Sequence, residues 1–194
     1  LRRLRLSEPD VRAAGGAESI HDMRVATRRL RTALRVLEDA PVFMARPLCK
    51  MRRALRALAR DLGEVRDQDI FARHLEEYVA ARPELAGDLK LVLQQVRGRR
   101  EKSYRRLLDQ VESDKHARTL AELERFTVET AGQPPERLLL VRHFAGSAIW
   151  RHYEALLSFE TMVRDAPAAA LHPLRIACKR LRYVLEIFEG ELGK

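Results

Sequence analysis

The chain has 194 residues, with 37 lysines and arginines against 28 aspartates and glutamates, a formal net charge of +9 and an isoelectric point near 10.1. So basic a balance favours an anionic partner and says nothing about the fold. No apolar run reaches the roughly 18 residues that a membrane span requires, and two distant cysteines, Cys49 and Cys178, favour a reducing, cytoplasmic compartment over a disulfide framework or a zinc site.

Apolar residues recur at spacings of three and four through most of the chain, which predicts an all-α protein. Breaks are expected at Gly15-Gly16, Pro41, Gly63, Pro83, residues 132–135 and residues 165–167. Long helices with short loops are typical of antiparallel bundles, and we expect an N-terminal half, residues 1–96, and a C-terminal half, residues 97–194. The predicted helices span residues 2–13, 18–39, 46–62, 67–81, 84–111, 113–130, 136–164 and 168–189.

One eleven-residue motif occurs twice, near the two ends of the chain. Residues 21–31 read HDMRVATRRLR and residues 172–182 read HPLRIACKRLR. Both fit the pattern His-x-x-Arg-[Val/Ile]-Ala-x-[Arg/Lys]-Arg-Leu-Arg without a gap. A match of this length indicates an internal duplication, even in an arginine-rich chain.

On a helix, each copy separates into an apolar side and a cationic side. The first copy has His21, Arg24, Arg28, Arg31 and Arg35 on its cationic side, and the second has His172, Arg175, Lys179 and Arg182. Arg29 and Arg180 lie on the flank. The apolar sides, which we expect to be buried, consist of Met23, Ala26, Leu30, Ala33, Leu34 and Leu37 in the first copy and Leu174, Ala177, Leu181, Val184, Leu185 and Phe188 in the second.

The cationic sides contain no acid from His21 to Arg35, and none in the second copy until Glu186. Like charges at these spacings repel by a few tenths of a kcal/mol per pair, so a helix that keeps them favours an anion that relieves the repulsion. Guanidinium groups form charge-assisted, often bidentate, bonds to phosphate oxygens, and a histidine can donate one or two more. The alternative is a solvated basic surface, or one paired with acids of another helix.

These residues resemble the CHAD domain, the conserved histidine α-helical domain. The two histidine motifs look like its signature, the second as far as residue 188, and the segment LRALARDLGEVRDQD, residues 55–69, is similar to the motif that follows its first helices. The likeness extends over residues 18–190 and is specific at these three places.

The resemblance implies two antiparallel helical bundles related by a pseudo-twofold axis, with a basic cleft between them. It also implies binding of inorganic polyphosphate and localisation to polyphosphate granules. The sequence contains no Walker loop, His-Glu-x-x-His or Gly-x-Ser-x-Gly motif, so we expect no catalysis. The second motif has no counterpart of residues 62–67, so we expect an incomplete second bundle. Neither a cofactor nor a metal ion is expected. The residues that would contact polyphosphate or lie near it are His21, Arg24, Arg28, Arg29, Arg31, Arg35, Arg66, His172, Arg175, Lys179, Arg180, Arg182 and Tyr183.

Two other functions remain open. A nucleic-acid binder would have similar electrostatics, but the two cationic sides lack the amides and aromatics that read bases. His21-Asp22 also resembles the doublet of HD-type metal phosphohydrolases, although the second copy has Pro173 in place of the aspartate.

Three minor expectations concern other polar and aromatic residues. Asp67 and Asp69 are weak candidates for a divalent ion; we expect instead that Asp67 caps a helix and that these acids pair with Arg60 or Arg66. The lone tryptophan, Trp150, is expected in the core, together with Tyr153 and Phe159.

Overall fold

The computed structural model describes residues 1–13, 15–40, 45–132, 141–160 and 167–190. No strand occurs within these ranges, so the prediction of an all-α protein is confirmed. A short 3-10 helix at Pro83–Leu85 precedes α4. The α-helices are α1 Arg2–Ala13, α2 Ala17–Glu38, α3 Ala45–Ala81, α4 Ala86–Val111, α5 Asp114–Gly132, α6 Val141–Leu157 and α7 Ala168–Phe188.

Several predicted helix boundaries coincide with glycine or proline. Gly15 and Gly16 separate α1 from α2, and Gly15 has a left-handed φ of 53°, which favours glycine. Pro83 follows the end of α3, and Pro167, with extended backbone, precedes α7. The predicted break at Pro41 and parts of those at 132–135 and 165–167 lie outside the described residues.

The predicted break at Gly63 is wrong, because α3 continues through it from Ala45 to Ala81. Leu58, Leu62 and Val65 have exposed fractions of 1%, 0% and 0%, so the buried stripe runs past the glycine. A glycine inside a helix costs only about 1 kcal/mol relative to alanine, and burial of three such side chains outweighs this. The expected helix cap at Asp67 is wrong for the same reason, since Asp67 lies inside α3.

The described residues separate into two compact units. Unit 1 contains residues 1–30 and 50–130. Each of its helices contributes side chains that are almost fully buried, and His116 of α5 contacts Glu8 of α1 in this interior, with 2.6 Å between Nε2 and Oε1. The apolar core residues of unit 1 include Leu4, Val11, Ile20, Met23, Leu55, Leu58, Leu62, Val65, Leu107, Val111, Leu120 and Leu123.

Unit 2 contains residues 31–49 and 131–194. Its core combines the end of α2 with α6 and α7, and Phe144 and Phe188 meet there edge to face with ring centroids 6.1 Å apart. The core residues are Val36, Ala40, Phe144, Ala145, Ala148, Val184 and Phe188. The expected boundary between residues 96 and 97 falls inside α4, and the assignment of residues 1–96 and 97–194 to two halves stays a prediction.

Within the described ranges, no helix combines the length and the apolar character needed to cross a membrane.

Candidate functional site

The first histidine motif lies on α2, and its two sides differ in burial as the periodicity predicts. Met23, Ala26 and Leu34 have exposed fractions of 0%, 7% and 2%, so this side packs into the protein. The basic residues lie on the other side. His21, Arg29 and Arg35 are exposed, while Arg24, Arg28 and Arg31 are half-buried.

The second motif lies on α7 and has a similar division. Val184 and Phe188 are buried against α6 and the end of α2. The expected burial of Leu185 is wrong, because its side chain is 39% exposed; it lies about 100° around the helix from Val184, beyond the side that these neighbours cover. On the cationic side and its flank, His172, Arg175, Arg180 and Arg182 are exposed, while Lys179 and Tyr183 are half-buried.

The cationic residues of the two motifs are distributed over both units. The first part of α2, with His21, Arg24, Arg28 and Arg29, belongs to unit 1. Arg31 and Arg35 belong to unit 2, together with all of α7. Within unit 2, Val36 and Ala40 share a core with Val184 and Phe188, so the last turns of α2 and α7 are neighbours there.

Most basic side chains of the two motifs have no acidic partner among the described residues. Arg182 contacts Glu186 one turn later, at 3.5 Å, and its guanidinium lies 5.0 Å from the ring centroid of Tyr183. In the part of the chain that the structure describes, a set of seven basic residues makes neither an ion pair nor a hydrogen bond through its side chains: His21, Arg24, Arg35, His172, Arg175, Lys179 and Arg180.

Helix α3 lies close to α2 at two residues of the segment 55–69, Gly63 and Arg66. Arg66 donates a hydrogen bond from Nη1 to the carbonyl oxygen of Ala17, at 3.3 Å. At Gly63, a Cβ would lie 3.4 Å from Nη1 of Arg24, so the guanidinium of Arg24 lies close to the backbone of α3. The sequence predicted only a break at Gly63, because no local pattern encodes its proximity to Arg24 on another helix.

Basic residues outside the predicted set behave differently. Helix α4 is rich in arginine, and four of its arginines have acidic partners: Arg97 with Glu76, Arg100 with Asp69, Arg105 with Glu101 and Arg106 with Glu64, at 2.5–2.9 Å. The expected pairing of Asp69 with Arg60 or Arg66 is therefore wrong, because α4 brings Arg100 to it. Arg60 pairs with its neighbour Asp61 instead.

Two further histidines, His116 and His152, have separate surroundings. His116 contacts Glu8, and Nδ1 of His152 lies 2.9 Å from the carbonyl oxygen of Ala148. Among the described residues, no three histidine, cysteine, aspartate or glutamate side chains are grouped so that they could hold a metal ion.

The expected burial of Trp150 and Tyr153 in the core is wrong. Their side chains are 57% and 40% exposed, and their rings lie together on the surface of α6 with centroids 5.7 Å apart. Ala145 and Ala148 occupy the buried side of this helix instead. Phe159 is half-buried.

The chain matches the family model described as "CHAD domain" over residues 1–194. Among solved structures, it is similar to the crystal structure of the CHAD domain from the plant Ricinus communis, with a TM-score of 0.72 and 28% sequence identity. This similarity covers 97% of the present chain and 61% of the plant chain. A comparison with curated proteins finds no match. The duplicated histidine motif, the all-α fold and these similarities together show that the chain belongs to the CHAD domain family.

Proposed function

We propose that this chain binds inorganic polyphosphate through the cationic sides of α2 and α7, without catalysing a reaction. The observation that carries the proposal is a set of basic side chains that have no partner in the described parts of the chain, on two helices that share one motif. Seven basic side chains there have no acidic or hydrogen-bonding partner among the described residues. A polyanion would neutralise charges that the protein itself leaves unneutralised.

The residue types match the chemistry of a phosphate chain. Arginine donates several hydrogen bonds in a planar fork, and lysine and histidine add further donors. Cations repeated along a helix suit a ligand whose charges are also repeated. We assign contact with polyphosphate, or a position beside it, to His21, Arg24, Arg28, Arg29, Arg31, Arg35, Arg66, His172, Arg175, Lys179, Arg180, Arg182 and Tyr183.

The residue types on the two cationic sides support the proposal of binding without catalysis. Both sides offer hydrogen-bond donors and positive charge. Neither side also carries the paired carboxylates or the activated nucleophile of a hydrolytic site. A receptor of this kind would concentrate where its ligand is stored, so we propose cytoplasmic polyphosphate granules as its location.

One observation favours nucleic acid as a second candidate ligand. Trp150 and Tyr153 form an exposed aromatic pair on α6, and exposed aromatic side chains are common stacking platforms for single-stranded bases. Trp150 is the single tryptophan of the chain, so its fluorescence reports directly on stacking at this pair.

The proposal is tested by equilibrium binding of fluorescently end-labelled polyphosphate at several salt concentrations. Each phosphate contact that releases a counterion should contribute on the order of one unit to the slope of log affinity against log salt. We expect tight binding at near-physiological salt and a slope of several units. Failure to bind at low salt would refute the proposal.

A further inference from the structure

The junction between α1 and α2 is closed by side chains of α4. Gly15 has φ of 53°, and a Cβ at this position would collide with the Tyr104 ring. The Tyr104 hydroxyl donates a hydrogen bond to the carbonyl oxygen of Val11, at 2.6 Å. Burial is the main cause that raises the pKa of Tyr104, and the charge of Arg100 acts in the opposite direction. The ring therefore packs directly on the turn that leads into α2.

Arg100 connects this turn to α3. Its Nη2 donates to the carbonyl oxygen of Gly15, and its Nε donates to Oδ1 of Asp69, at 2.9 Å. The Asp69 side chain is only 10% exposed, and its Oδ2 is buried without a hydrogen-bond partner among the described residues. A buried carboxylate with one cationic partner holds that partner strongly, because its charge has no other compensation.

The Gly15 carbonyl, to which Arg100 donates, lies just before the start of α2. Helix α2 begins at Ala17, two residues after Gly15, and the Ile20 amide donates to the carbonyl oxygen of Gly16 in its first turn. His21 follows at the next position and Arg24 one turn later. A shift of the Gly15 backbone would therefore move the first cations of α2.

We propose that Asp69 is a positioning residue for polyphosphate binding: through Arg100 it fixes the Gly15 carbonyl, and so fixes how α2 presents His21 and Arg24. This inference rests on the proposed function. Asp69 itself repels the ligand by charge and acts only through the side chain that it holds. Its role is thus opposite in sign to what simple electrostatics expects of an acid in a polyanion receptor.

That opposition makes a sharp experiment possible. Asp69→Asn removes one negative charge and so raises the net charge by one unit, and generic electrostatics therefore predicts tighter polyphosphate binding. Positioning by Asp69 predicts weaker binding, by about 5-fold, within the usual range of coupling between neighbouring groups. The matched control is Glu76→Gln, which makes the same charge change in the exposed Arg97–Glu76 pair between the same two helices; its affinity should equal or slightly exceed that of the wild type.

A double-mutant cycle separates positioning from loss of stability. In an Arg24→Gln background the effect of Asp69→Asn should shrink, because the residue being positioned is gone. In an Arg175→Gln background, on α7, the effect should persist in full. Amide hydrogen exchange at Ile20 should be faster in Asp69→Asn than in Glu76→Gln. If Asp69→Asn does not fold, Tyr104→Phe removes the hydrogen bond to Val11 without a charge change and should show the same pattern more weakly.

The outcomes are distinct. Weaker binding by Asp69→Asn that depends on Arg24 supports the positioning role. Binding as tight as that of Glu76→Gln, or an equal effect in the Arg24→Gln and Arg175→Gln backgrounds, overturns it. If the wild-type chain does not bind polyphosphate, the proposed function has failed, and the positioning role falls with it.

Discussion

Helix α4 and the two histidine helices are all rich in basic residues, but they differ in whether those residues are paired with carboxylates. On α4, Arg97, Arg100, Arg105 and Arg106 have carboxylates at 2.5–2.9 Å. On α2 and α7, most cations of the two motifs have no such partner among the described residues, and the Arg182–Glu186 contact is long, at 3.5 Å.

The difference indicates that basic composition alone does not identify a candidate binding surface. A net charge of +9 reflects both kinds of helix together, whereas an anion gains most where no carboxylate already occupies the guanidinium donors. At these α4 arginines, the paired carboxylate of α3 or α4 would have to be displaced before phosphate could bind. The position of acids, more than the number of arginines, therefore distinguishes the candidate surfaces from the rest.

Charge reversal should have the largest effect. Arg24→Glu and Arg175→Glu change equivalent positions of the two motifs, and each should weaken polyphosphate binding by roughly 10- to 100-fold, because a charge-assisted contact is lost and a repulsion is added. Arg105→Glu makes the same charge change on α4, where Glu101 already pairs with the arginine.

The control should weaken binding by less than about 3-fold at physiological salt, where the Debye length is about 8 Å. Affinities of all three variants are measured with the same labelled polyphosphate. An equal loss in Arg105→Glu would mean that net charge alone sets affinity. A loss in only one of the two motif variants would mean that one helix suffices.

A smaller effect should follow from placing on α7 an acid four residues before an arginine, as Glu101 precedes Arg105 on α4. Leu171→Glu places a carboxylate four residues before Arg175, where it can pair along the helix. We expect about a 3-fold loss of affinity for polyphosphate. Leu157→Glu on α6 is the control, since the two leucines are 43% and 41% exposed. If both variants lose affinity equally, pairing with Arg175 contributes nothing.

The smallest effect is expected at the contact between α3 and Arg24. Gly63→Ala should raise the free energy of unfolding by about 0.5–1 kcal/mol, because alanine is the better helix former. The new methyl group would lie 3.4 Å from Nη1 of Arg24, an ordinary van der Waals distance, so polyphosphate affinity should not change. Thermal unfolding and binding are measured on the same sample; a fall in stability would show that this space is tighter than the distance indicates.

Much of the fold and the cationic sides could be predicted because both depend on local periodicity. The burial of Met23 and Leu34 opposite Arg24 and Arg35 follows from apolar and basic residues that recur at helical spacing. Gly63 shows that a glycine alone does not reliably predict the end of a helix. The buried stripe on either side of it continues the helix that the glycine alone would interrupt.

The features that could not be predicted depend on contacts between residues that are far apart in the sequence. Asp69 and Arg100 are 31 residues apart, and only the packing of α4 on α3 brings them together. Trp150 and Tyr153 have the character of core residues, but α2 and α7 cover the other side of α6. Periodicity identifies the sides of a helix and leaves open which of them is covered.

Calorimetric titration with long-chain polyphosphate, in the presence of excess single-stranded or duplex nucleic acid and at near-physiological salt, compares the two candidate ligands. We predict that nucleic acid does not displace polyphosphate and leaves the fluorescence of Trp150 unchanged. Displacement of polyphosphate by the excess nucleic acid, with quenching of Trp150, would contradict this prediction and would make the aromatic pair on α6 part of a nucleic-acid surface.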